Sequence, residues 1–117
     1  MTFYCHCSLC RRSGGAPFVA AAAFKPENVT FHGESYIRDF IPPNSKVPRR
    51  FCKKCGSYVA EDARPVLGVF ALPLGLCQEA PDKKYMPAQH IFWDSRVLSP
   101  DDSLPKYMQM PGSQRAD

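Results

Sequence analysis

Twelve prolines in 117 residues constrain this chain more than any other feature. They are spread along the chain from Pro17 to Pro111, at about twice the ~5% share of an average protein. Proline has no amide proton and its ring clashes with the turn before it, so it ends helices and stays out of central strands. Long helices have little room here. Short strands joined by turns are favoured, and 117 residues are enough for one domain with a modest core.

The segments between the prolines fit that pattern. "PFVAAAAF" (17–24) is apolar and bracketed by Pro17 and Pro26, and reads as a buried strand. "NVTFHG" and "SYIRDF" read as a hairpin around Gly33, and "IPPNSK" as a loop. "VPRRFCKKCGSYVA" reads as strand, knuckle, strand, with Gly56 giving the turn its backbone freedom. "PVLGVFALP" is the most apolar stretch and is expected to be a central strand. "LCQEAPDKKYMP" reads as loop with at most one helical turn, and "QHIFW" as a last short strand. Residues 1–111 are expected to form the domain and 112–117 a disordered tail.

No apolar run approaches the ~18 residues of a membrane helix, and no signal-peptide pattern opens the sequence. The expected address is the cytoplasm, with the nucleus as the other reduced compartment. The net charge of +4 is small and fits a solvated surface better than a nucleic-acid partner.

Five of the six cysteines fall in two clusters, Cys5-His6-Cys7-Ser8-Leu9-Cys10 and Cys52-Lys53-Lys54-Cys55. A disulfide framework needs an oxidising compartment. Cys5 and Cys7 also stand too close in sequence for an unstrained mutual bridge, whereas both can turn sulfur toward one metal. Paired C-x-x-C motifs signal zinc, although the 41 residues between Cys10 and Cys52 exceed the ~15–20 of a minimal ribbon. Spacing permits a closed site of Cys7, Cys10, Cys52 and Cys55. It equally permits an open site of Cys5, Cys7 and Cys10 with a free fourth position. Zinc of either kind contributes ~10–16 kcal/mol of apparent binding free energy, as much as a small domain's whole stability.

"CHCSLCRRSGGAPF", "FCKKCGSYVA", "PAQHIFWDSR" and "LPKYMQMP" together resemble the glutathione-dependent formaldehyde-activating enzyme family, from about Phe3 to Pro111. The resemblance implies a mostly β, Mss4-like fold of sheets held by zinc. It implies that Cys5, Cys7 and Cys10 hold a catalytic zinc, and that Cys52 and Cys55 supply half of a structural zinc site. One or two zinc ions per chain follow, with glutathione as co-substrate and a small carbonyl compound as the other partner. The implied activity is a carbon–sulfur lyase acting on a thiol–aldehyde adduct such as S-hydroxymethylglutathione. Family members carry an upstream strand pair with G-x-C-x-C-G, which this sequence lacks, and an open sheet edge is expected in its place. Such an edge invites pairing, so a homodimer is expected.

Arg11 and Arg12 follow Cys10 directly and are candidates to hold the carboxylates of glutathione or to offset thiolate charge. Gly14 and Gly15 read as turn residues. His6 is expected to point away from the metal, His90 to be a half-buried satisfied histidine, and His32 to be exposed. Cys77 reads as a small core residue, and Trp93 as core. The rival reading is a non-catalytic zinc-ribbon-like module for nucleic acid or protein. Arg11–Arg12, Arg49–Arg50 and Lys53–Lys54 would be its basic surface, with too few interleaved aromatics for base stacking.

Overall fold

A computed structural model of the chain describes residues 1–116. Seven short strands form one sheet: β1 (Thr2–Cys5), β2 (Val19–Phe24), β3 (Ile37–Phe40), β4 (Arg49–Cys52), β5 (Tyr58–Ala63), β6 (Val69–Pro73) and β7 (His90–Ile91). Their order is β3-β4-β5-β6-β2-β1-β7. All neighbours are antiparallel except β1 and β7, which are parallel. The only α-helices among the described residues are α1 (Ser8–Gly14) and the single turn α2 (Arg64–Leu67). The fold is mostly β, as the proline spacing requires.

Alternation along β1 sorts the two faces of the sheet. Phe3 and Cys5 are buried on one side. On the other, Tyr4 stacks on His90 at 5.0 Å and meets Phe18 edge-on at 5.3 Å. The first face is the sulfur side, and the second is an aromatic and histidine layer.

The core is built from small side chains. Ala21, Ala22, Ala60, Ala63 and Ala71 are buried beside Phe3, Val19, Phe70, Ile91 and Trp93, while the largest fully buried side chains are two histidines, His6 and His90. A sheet faced with methyl groups leaves space above itself unless another layer descends to fill it.

Four expectations need correcting. Residues 29–32 form no strand: Pro26–Asn28 is a 3-10 turn, and Gly33 (φ 74°) opens another over Glu34–Tyr36. Phe31 instead stands edge-on to Phe70 at 5.2 Å, so this segment covers the sheet rather than extending it, and β3 pairs with β4. "PVLG" is not strand either. Pro65 suits the first turn of a helix, Gly68 (φ 68°) stops it, and only then does β6 run through the middle of the sheet. Cys77 is exposed, because it follows a 3-10 turn at the end of β6 instead of lying within the strand. His90 is fully buried rather than half-buried.

The tail, expected to be disordered, folds back as far as Ala116, whose amide donates to the Lys106 carbonyl at 2.9 Å; Asp117 lies outside the described residues. No helix among the described residues is long and apolar enough to cross a membrane.

Candidate metal centre

The sulfur loop is assembled by a strand end and a helix start. Cys5 is the last residue of β1, held between Val19 of β2 and Ile91 of β7. Cys7 is the N-cap of α1: its backbone is extended (φ −64°, ψ 154°) and its sulfur accepts from the Cys10 amide at 3.3 Å. A side-chain acceptor there satisfies an amide that the first turn leaves free, and the positive end of the helix favours a thiolate. Cys10 sits on the first turn, buried against the sheet. The helix stops at Gly15 in the left-handed conformation (φ 60°), and Gly14 passes so close to β2 that a Cβ there would lie 2.7 Å from Val19 Cγ2. The residues that announce this helix, a capping cysteine and a terminal glycine pair, were legible in the sequence but read only as a metal ligand and turn residues.

The three sulfurs lie within 4.8 Å of one another, and they are the only such group of three or more potential ligands among the described residues. Three convergent soft donors, two of them buried, fit zinc with a fourth position left open. Their proton affinities differ. Hydrogen bonds from Cys10 and Cys5 hold the Cys7 thiol far below the ordinary cysteine range. Cys10 is pushed well above it by its bonds to Cys5 and Cys7 and by burial. For Cys5, the Cys10 contact favours ionisation, but the Cys7 contact and burial outweigh it. The three thiols thus compete for negative charge, with Cys7 favoured to carry it. A cation is what lets all three sulfurs ionise together.

Cys52 and Cys55 do not join this cluster, so the four-sulfur site of Cys7, Cys10, Cys52 and Cys55 is not formed. They flank the turn between β4 and β5, where Gly56 has φ 77°, and the exposed Cys55 lies 3.0 Å from Ser57 Oγ.

Above the sulfurs opens a cavity of about 540 Å³. Its wall on the sulfur side holds Cys5, Cys7 and Cys10; its floor is the sheet face carrying Phe3, Ala23, Ala63, Val69 and Ala71. Register explains the floor, since Arg49, Glu61, Ala71 and Ala23 lie in one row across β4, β5, β6 and β2. The two charged members of the row face each other: Arg49 Nη1 donates to Glu61 Oε2 at 2.8 Å, and Glu61 Oε2 lies 3.9 Å from Cys10 Sγ. Burial raises the Glu61 pKa against the opposing pull of Arg49. Neither Arg49 nor Glu61 stands near Cys5, Cys7 or Cys10 in sequence, and only strand register could have revealed them as their neighbours.

Arg11 and Arg12 are not part of the cavity wall. Arg11 Nε donates to the His6 carbonyl at 3.1 Å, and Arg12 is exposed. The basic pairs do not form one free surface. Arg49 is buried and ion-paired, Arg50 pairs with Asp39 and Glu34 and lies over Phe31, and Lys54 lies over Tyr36. Guanidinium groups committed to internal partners are lost to phosphate binding.

Behind the sulfur loop, on the opposite face, a polar chain leads from two buried histidines out to an exposed aspartate. His6 Nε2 lies 2.9 Å from His90 Nδ1, and His90 Nε2 lies 2.8 Å from Asp102 Oδ2. Trp93 meets both imidazoles edge-on, at 5.0 and 5.1 Å. His6 lies between two sulfur ligands in sequence yet belongs to this chain and not to the cluster.

Comparison with curated proteins returned no match. The family model described as "glutathione-dependent formaldehyde-activating enzyme" matches residues 1–95. With four-fifths of the sequence inside that match and the three-sulfur loop formed as the motif implies, the chain belongs to the glutathione-dependent formaldehyde-activating enzyme family.

Proposed function

We propose that this protein is a zinc-dependent carbon–sulfur lyase that makes and breaks the adduct between a thiol, such as glutathione, and an aldehyde. The observation that supports it best is the convergence of Cys5, Cys7 and Cys10 in the wall of an open cavity and not in a sealed core. Zinc held by these three thiolates would supply a positive centre with one position left for a substrate sulfur, lowering that thiol's pKa.

The protein's own groups do the remaining work. In the addition direction the substrate sulfur bonds to the carbonyl carbon, the C=O π pair moves to oxygen, and that oxygen takes a proton. Cleavage runs the other way: the hydroxyl proton leaves, the C=O bond reforms, and the C–S bond breaks with its electron pair on sulfur. Glu61 is the only carboxylate among the cavity-lining residues, and we assign it the hydroxyl proton. Arg49, hydrogen-bonded to the same carboxylate, holds it in place. Cys52 and Cys55 offer two sulfurs, too few to close a zinc site, so a second ion there needs ligands from another segment or another chain.

The test uses the zinc-loaded protein with glutathione and carbon-13 formaldehyde, following exchange between free aldehyde and adduct by NMR. We expect exchange faster than in buffer containing the same zinc, lost in Cys5→Ala together with one equivalent of zinc. No acceleration by the wild-type protein rejects the reading.

A further inference from the structure

The cavity beside the sulfurs is far larger and more apolar than formaldehyde requires. Its two charged side chains, Arg49 and Glu61, are paired with each other at the cysteine end, where Glu61 lies beside Cys10. Most of the remaining lining is hydrocarbon, with Ala23, Ala63 and Ala71 on the floor and Phe92 and Met110 in the wall, and its other polar side chains are the uncharged hydroxyls of Ser8, Ser45 and Ser95. At the rim Val66 and Leu67 are 52% and 55% exposed. Glutathione carries two carboxylates and an ammonium group. The cavity offers them one arginine, already neutralised by Glu61, and one glutamate, already bound by Arg49. The charged body of such a thiol therefore gains nothing by entering, while a hydrocarbon chain gains everything that burial supplies.

We infer that the cavity receives the carbon chain of an apolar aldehyde, straight-chain or aromatic, whose thiol adduct reacts at the cysteine end. The substrate class is thus the hemithioacetal of a hydrophobic aldehyde, with the charged part of the thiol left outside. This deepens the lyase reading and rests on it for the chemistry, but the cavity's preference is measurable without any reaction. The floor sets the preference. Along β2, β5 and β6 three of the residues facing the cavity, Ala23, Ala63 and Ala71, are alanines beside Val69 and Glu61, and each larger side chain in their place would occupy space that the hydrocarbon needs. The volume, about 540 Å³, falls in the range of pockets that enclose a whole organic ligand.

Straight-chain primary alcohols from ethanol to hexanol serve as unreactive probes, titrated into the zinc-loaded full chain by calorimetry. We expect each added methylene to tighten binding about three- to four-fold, the value that transfer of one CH₂ from water predicts. Ala23→Leu narrows the floor and is expected to weaken hexanol binding at least ten-fold while leaving ethanol unchanged. Leu67→Ser, on the exposed rim, keeps the fold if Ala23→Leu does not, and is expected to weaken hexanol several-fold. An affinity that does not rise with chain length, or one that both variants leave unaltered, overturns the inference. Chain-length-dependent binding without turnover of any thiol adduct removes the lyase and keeps the cavity's preference. Turnover of hydroxymethylglutathione with a flat alcohol series does the reverse.

Discussion

His6 Nε2 and His90 Nδ1 lie 2.9 Å apart, although the two residues are 84 positions apart in sequence. The direction of that hydrogen bond follows from the far end of the chain. Asp102 is acceptor-only when ionised, so His90 donates to it from Nε2 and presents a bare Nδ1. His6 must then donate from Nε2, which leaves its own Nδ1 without a proton; that atom has no hydrogen-bond partner and is buried. The carboxylate thus fixes both tautomers and, through His6, the turn of backbone that spaces Cys5 from Cys7.

His90→Ala should cost about 3–5 kcal/mol in chemical denaturation, since it opens a cavity against Trp93 and leaves His6 Nε2–H buried without an acceptor. Asp102→Asn should cost less, about 1 kcal/mol, because an amide oxygen can still accept from His90. Equal losses for the two variants would show that the chain has no direction.

Acidification should weaken the fold in two steps. Burial, with the nearby His90 and the arginines, lowers His6 to about 4, below its ordinary 6.5. A folded-state pKa below the unfolded one means that the unfolded chain binds the proton first. The stabilisation is complete above about pH 6.5 and is lost as the pH falls through 4, on the order of 3 kcal/mol. Asp102 is raised by desolvation, but bonds from Lys106, His90 and the Leu104 amide more than reverse this and bring it to about 2. Its contribution is lost only below about pH 4. Thermal midpoints from pH 8 to 3 should therefore fall from 6.5 downward in wild type, and less steeply below 4 in Asp102→Asn.

The Arg49–Glu61 pair should be strongly coupled. Arg49 is 3% exposed, so Arg49→Met leaves a carboxylate partly buried beside Cys10 with no counter-charge, at a cost of about 3–5 kcal/mol. Glu61→Gln alone strands the guanidinium in the same way. The double variant Arg49→Met/Glu61→Gln should lose clearly less than the sum of the two, measured by a denaturation cycle. Additivity would mean that the two side chains do not interact.

Gly14→Ala should destabilise by about 1–3 kcal/mol, because the new methyl would sit 2.7 Å from Val19 Cγ2 and push α1, with Cys10, off the sheet. Gly75→Ala, where a Cβ meets nothing within 4 Å, is the control and should change little. Zinc affinity should fall in the first variant and hold in the second.

Thiol labelling should separate the six cysteines. Cys55 and Cys77 are exposed and should react first with a disulfide reagent; Cys5 and Cys10 are buried and should react last, and only after the fold opens. A slow Cys77 would return it to the core role that its apolar neighbours suggest.

What sequence could show here was whatever is local. The C-x-C-x-x-C spacing forces three sulfurs into a small volume wherever the chain goes, and the end of β1 and the first turn of α1 bring Cys5 and Cys10 together as that spacing suggests. Proline placement likewise fixed the strand-rich character, because a missing amide proton acts at its own position. Glu61 and Arg49 were invisible for the opposite reason: they reach Cys10 only through the register of β4, β5 and β6. The same holds for Asp102, a surface-looking acid in "PDDS" that proves to anchor two buried imidazoles. Arg49–Arg50 read as a basic surface pair, yet strand alternation sends one inward to Glu61 and lays the other over Phe31. Cys77 was misread because its flanking leucines suggested a core that the end of β6 does not reach.

The parallel pairing of β1 with β7 has a consequence for biosynthesis. During translation the sulfur loop leaves the ribosome long before Ile91, the neighbour that closes one side of Cys5, has been made. Through that interval the thiols are open to the cellular milieu, to stray metal and to oxidants alike. Completion of the sheet around Cys5 therefore belongs to the final stage of the protein's maturation, and a nascent chain stalled before β7 would be the form most vulnerable to oxidation.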